Sequence, residues 1–160
     1  MTGKITVAAI GGFILGILVM SFVTFTGAPE LMVVEDESRY GFDETIEAIE
    51  ASAEDQGWAV PTVHRLHEPV RAEGYEVDRV AVMELCQPHH AAQILSDDEA
   101  KVVTSMMPCR ISVYETSDER IIISRMNTAM LAEMFGGTVA EVMADATEEV
   151  EGVLATVLQE

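Results

Sequence analysis

Hydrophobic positions along this chain fall into continuous, helical and alternating patterns. The continuous one is "ITVAAIGGFILGILVMSFVTFTG", Ile5–Gly27, which is 23 residues without a charge. A helix rises about 1.5 Å per residue and needs about 20 to cross a bilayer core, so this run predicts a membrane span. The helical pattern recurs at Phe42, Ile46, Ile49 and Ala53, which predicts a helix over Glu44–Gln56 with Asp43 as N-cap and Gly57 as stop. Pro88 suits the first turn of a second helix running to Leu95, with Gln87 near its cap. Asn127 can cap Thr128–Phe135, which Gly136–Gly137 ends. Thr138 with Glu141 reads as a capping box for a final helix to Leu158, whose apolar face is Val142, Met143, Ala146, Val150, Val153 and Val157. The β-prone runs are Leu31–Val34, Trp58–Leu66 with Pro61 at an edge or bulge, Val77–Leu85, Arg110–Tyr114 and Arg120–Ser124. "ETSDE" joins the last two as a hairpin, His67–Gly74 is a loop or short helix, and "SDDEAK" is a polar break.

This order is strand, helix, two strands, helix, two strands, then helices. A hairpin with segregated helices predicts an α+β domain over residues 29–160, following a cytoplasmic N-terminus and anchor over 1–28. A cleaved signal usually has an apolar run of about 7–15 residues, so the longer run here favours an uncleaved anchor. Lys4 precedes the run, while Glu30, Glu35, Asp36 and Glu37 follow it. The positive-inside rule then puts the N-terminus in the cytoplasm and the domain outside, as a single-pass protein of the cell membrane. Gly12 and Gly16 have the spacing that packs two membrane helices into a homodimer, or they simply face lipid.

Composition narrows the function classes. Acids outnumber bases 28 to 9, for a net charge of -19. Such a surface repels phosphate backbones, which argues against nucleic acid as a partner. Disorder is also excluded, because 49% of the residues are hydrophobic and recur in ordered patterns. There is no phosphate loop, nucleotide fingerprint or calcium loop, and no Ser-His-Asp constellation.

The chemistry-bearing residues gather in "MELCQPHHAAQIL" (Met83–Leu95) and "MMPCRISVYE" (Met106–Glu115), which hold both cysteines, Cys86 and Cys109. Each cysteine lies at a predicted strand end. Cys86 also precedes a helix N-terminus, and Arg110 adjoins Cys109, both of which favour thiolate. A disulfide or redox pair, a soft-metal or haem site, and two inert buried thiols all fit. Thiolate, imidazole and thioether suit zinc or copper, so the candidate metal set is Cys86, Cys109, His89 and Met107. His90 belongs to the wider candidate site, since only one of two adjacent helical histidines can face Cys86. His64 and His67 rank lower. Met126, Met130 and Met134 form a stripe whose ordinary role is core packing.

Together "VAVMELCQPHHAAQIL", "MMPCRISVYE", "ISRMNTAMLAEMFGG" and "VAEVM" resemble the domain of unknown function 302 family. Its pattern is a strand ending in Cys-x-Pro, then Met-Pro-Cys-Arg leading into Val-Tyr-Glu, then Met-Asn and Phe-Gly-Gly. The resemblance spans Tyr40–Leu158 and maps the family's motif cysteines onto Cys86 and Cys109. It implies a curved antiparallel sheet with helices on one face, broadly similar to the TATA-box-binding protein, and often a membrane segment. It implies no activity. The expectations are therefore an anchored extracytoplasmic domain with a cysteine-centred ligand, redox or soft-metal site, or else an interaction domain with structural cysteines.

Overall fold

Five segments pair into one antiparallel sheet: β1 (Val33–Glu37), β2 (Ala59–Arg65), β3 (Val80–Cys86), β4 (Cys109–Glu115) and β5 (Ile121–Met126). Their order across the sheet is β1-β5-β4-β3-β2. The computed structural model describes Gly16 and residues 31–159. It divides the chain into a unit to Met32 and a second unit, Val33–Glu160, which carries the α+β fold. The predicted anchor, Ile5–Gly27, lies outside the described residues except for Gly16. Among the described residues no helix is long and apolar enough to cross a membrane.

The alternation in the sequence sets which face of the sheet is buried. On β3, Ala81, Met83 and Leu85 are buried and the residues between them are not. They sit opposite Val113, Ile111 and Cys109 of β4. On β5, Ile123 faces Val113 and Arg125 faces Ile111, so one apolar face runs across the three central strands. The helices α1 (Phe42–Asp55) and α5 (Gly137–Leu154) cover that face. Phe42, Ile46, Ile49 and Ala53 of α1 meet Ala146, Val150, Val153 and Leu154 of α5 over the sheet. Each large aliphatic side chain so buried stabilises the fold by about 1.5–3 kcal/mol relative to an exposed one. A short α2 (His67–Ala72) follows β2, and α3 (Pro88–Ser96) follows β3. A 3-10 helix (Ala100–Met106) leads into β4, and α4 (Thr128–Phe135) precedes α5.

Several local expectations shift. β1 starts at Val33 and continues through Glu37, because an edge strand can turn acids to water and Asp36 meets Arg125 at 2.7 Å. Gly41, not Asp43, caps α1. Asp43 instead accepts from Arg65 at 2.7 Å, and Glu44 reaches back to the Gly41 N–H at 3.3 Å. Thr138 is no N-cap, since α5 opens at Gly137 and the Thr138 hydroxyl donates to Asp97 at 2.8 Å. Gly136 and Gly137, with φ of 70° and 55°, form the turn that permits this. α5 stops at Leu154, and Leu158 bridges to Ser38 instead of continuing the helix. The Pro61 expectation matches an irregular register between Ala59 and Thr62 on the edge strand β2. Asn127 caps α4 by accepting from the Met130 N–H at 3.2 Å.

Candidate functional site

The sheet register brings the two cysteine-bearing ends together. Leu85 pairs with Cys109, so Cys86 lies one residue beyond Cys109 on the neighbouring strand. Both are half-buried free thiols. Burial pushes the Cys109 thiol above its ordinary value, and the nearby Cys86 sulfur adds to the rise. The ends meet at the wall of a cavity of about 250 Å³, which both cysteines line.

The cavity lies between two apolar groups. Trp58, Leu85 and Ile111 belong to the main core under α1 and α5. Ile94 and Val103 belong to a second cluster, in which Ala100, Val139 and Val142 are also buried and Met106, Met107 and Met143 pack at the margin. Arg110 and Met126 also line the cavity, and both are exposed, so it opens to solvent there.

Helix α3 decides which histidine enters. Pro88 occupies its first turn, and the Gln87 side chain accepts from the His89 N–H at 3.4 Å. From that start, His90 and Ile94 share the inward face, four residues apart. His89 is exposed and does not line the cavity. Of the two adjacent histidines in the candidate site, His90 and not His89 lines the cavity with the cysteines. Cys86, Cys109 and Met107 of the expected metal set do line the cavity. Among the described residues no three His, Cys, Asp or Glu cluster closely enough to hold a metal ion.

His90 is 8% exposed, and neither ring nitrogen makes a hydrogen bond. Its Nε2 lies 3.2 Å from Glu149 Oε1, close enough for an ion pair if the ring is charged but without hydrogen-bond geometry. The other Glu149 oxygen accepts from Trp58 Nε1 at 2.9 Å, and the indole lies 5.8 Å from the imidazole between ring centroids. A buried polar group without a hydrogen bond costs about 1–3 kcal/mol, a cost that the Glu149 carboxylate offsets only when the ring is charged.

Arg125 shows the opposite condition. It lines the same cavity at 8% exposure, but Glu151 takes it in a fork at 2.7 and 2.6 Å, and Asp36 accepts at 2.7 Å. Burial opposes its charge, yet these bonds hold the guanidinium above its ordinary value. Arg125 is not among the site residues expected from the sequence. The alternation of "IIISRM" puts it on the same face as Ile121 and Ile123, and an arginine at a core-facing position is the signal that was available. Met143 and Glu149 gave no local signal for this site, because α5 reaches the cavity only through tertiary packing.

The family model for the domain of unknown function DUF302 matches residues 34–157. The crystal structure of an uncharacterized conserved DUF302 protein from Bacillus stearothermophilus is similar, with a TM-score of 0.69 and 24% identity, covering 78% of this chain and 96% of that one. At that identity the likeness is one of fold. No curated protein matches the chain. The matched span runs from β1 past the end of α5 and contains both cysteines and His90, and the chain belongs to the DUF302 family.

Proposed function

We propose that the domain binds a small ligand in the cavity between its two apolar clusters, with Cys86, Cys109 and His90 as the polar and soft contacts. Arg110 stands at the mouth. The observation that carries this reading is the buried His90 imidazole, whose nitrogens make no hydrogen bond, on the wall shared with both free thiols. A buried ring whose nitrogens make no hydrogen bond within the protein can take one from a bound ligand. We further propose that Ile5–Gly27 anchors the domain on the outer side of the cell membrane, supported by its 23 uncharged residues and by Lys4 before it.

Thiol counting tests the site. Both thiols of the folded protein should react with a small maleimide, and a bulky, charged maleimide should react more slowly. Thiols that stay closed until denaturant is added would sink the reading. The anchor is tested by alkaline carbonate extraction and protease accessibility in intact cells; a domain cleaved only after lysis would reverse the orientation. A second reading, an interaction domain, draws on α4, where Met134 is 77% exposed and Phe135 45%. A strictly monomeric chain that gains no partner through α4, together with reactive thiols, favours the ligand site.

A further inference from the structure

The donors around the cavity are soft, and their distribution selects an ion. Both cysteines of the chain line it, with four of its ten methionines: Met106, Met107, Met126 and Met143. The single carboxylate on the wall is Glu151, and Arg125 already holds both its oxygens. Hard cations such as magnesium or calcium take carboxylate oxygens as their main ligands, and the one carboxylate on the wall is already engaged. Zinc takes four ligands from cysteine, histidine and carboxylate, whereas among the described residues no three of these cluster. Copper(I) differs from both. It accepts low coordination numbers, and thiolates with thioethers select it. An opening at Arg110 and Met126 gives such an ion a way in.

We propose that this wall holds one copper(I) ion between the Cys86 and Cys109 sulfurs, with the Met106 or Met107 thioether as third ligand. The proposal rests on the reading of the cavity as a ligand site. On binding, the two thiols release their protons to solvent, two copper–sulfur bonds form, and the metal stays in its cuprous state. No electron is transferred. The half-buried sulfurs and the surrounding methionines shield the ion from water.

The test uses the full chain in detergent, without oxygen, titrated against a coloured copper(I) chelator. Wild type should strip one copper(I) per chain from the chelator, and X-ray absorption should find sulfur neighbours. Cys86→Ser and Cys109→Ser should each weaken retention by more than the roughly 10–100-fold typical of losing an outer-shell partner. Met106→Leu and Met107→Leu should produce a smaller loss in one variant. Circular dichroism checks that each variant stays folded. Failure of the wild type to take copper(I), or full uptake by the double cysteine variant, overturns the proposal. Maleimide labelling of the folded apoprotein separates the two levels. Reactive thiols without copper uptake remove only the copper assignment, and thiols closed until unfolding remove the cavity reading as well.

Discussion

The two halves of α5 serve two differently built regions. Its C-terminal half, through Ala146, Val150, Val153 and Leu154, joins a core in which Ile49, Met83, Val113 and Ile123 are fully enclosed. Polar groups buried beside that core are paired: Ser38 and Thr45 share a hydroxyl contact at 2.7 Å, and Thr45 also donates to the Gly41 carbonyl at 2.8 Å. Its N-terminal half, through Val139 and Val142, meets a smaller cluster edged by three methionines and a 3-10 helix. Between this cluster and the first lie the cavity, which Ala146 and Val150 also line, and His90, whose ring nitrogens make no hydrogen bond. The first region has spent its packing and hydrogen bonds on stability. The second has withheld both, which is the condition a binding site requires.

A matched pair of isoleucines tests the contrast most severely. Ile49 on α1 and Ile94 on α3 are 0% and 2% exposed. Ile49→Ala should cost about 4 kcal/mol in urea unfolding, because it opens a new void in closed packing. Ile94→Ala enlarges an existing cavity, loses fewer contacts, and should cost about 2 kcal/mol. Equal losses would mean that the second cluster is packed as tightly as the first. Arg125→Met comes next. Removing one partner of a buried ion pair costs about 3–5 kcal/mol, but Asp36 and Glu151 are 39% and 44% exposed and can turn to water. We expect a loss of about 2 kcal/mol, and a neutral result would show that the fork serves the cavity and not the fold.

The closed region was the more legible one. Periodicity along Phe42–Ala53 and alternation along Ala81–Leu85 identify the core faces directly, since helix and strand geometry fix which side chains share a face. The Gln87–Pro88 start of α3 and the Asn127 cap of α4 were readable for the same local reason. The cavity was legible only in part. The motifs singled out Cys86, Cys109, Arg110 and Met107, yet the choice of His90 over His89 depends on how α3 is rotated against α5 and Trp58. Asp97 and Thr138 are 41 residues apart and bond at 2.8 Å, so a local capping box gave way to a contact that no local pattern encodes. Charged groups of the core behave likewise: Arg125 reaches Asp36 across 89 residues.

His90→Leu sharpens the comparison in the opposite direction. The substitution removes two buried ring nitrogens that make no hydrogen bond and keeps an apolar side chain against Trp58. It should raise stability by about 1 kcal/mol while weakening ligand retention, because a desolvation penalty disappears with the group that makes the site specific. Destabilisation would show that His90 is a satisfied core residue. A kinetic contrast follows for the thiols. Alkylation of Cys109, measured in Cys86→Ser, should have its pH midpoint in the folded protein above that of the same cysteine in the denatured chain, because burial disfavours the Cys109 thiolate. The same midpoint in both states would remove the effect of burial on this sulfur.

The smallest expected effect lies at the rim of the second cluster. Asp97 accepts from Thr138 at 2.8 Å and from the Glu99 N–H at 3.0 Å, which ties the start of the 3-10 helix to the start of α5. The Thr138 hydroxyl, followed by the Glu99 N–H, holds the Asp97 carboxyl below its ordinary value of 3.8. A carboxyl lowered in the folded state stabilises fully above its unfolded value, and the contribution is lost as pH falls through the folded value. Asp97→Asn keeps the shape and one acceptor oxygen but cannot ionise. The variant should be slightly less stable than wild type at neutral pH, with the gap closing below about pH 4. Because this tie spans the cluster that borders the cavity, hydrogen exchange of the 3-10 helix should quicken in the same pH window. Exchange that quickens instead in α1 would place Asp97 in the closed region and erase the division between the two halves of α5.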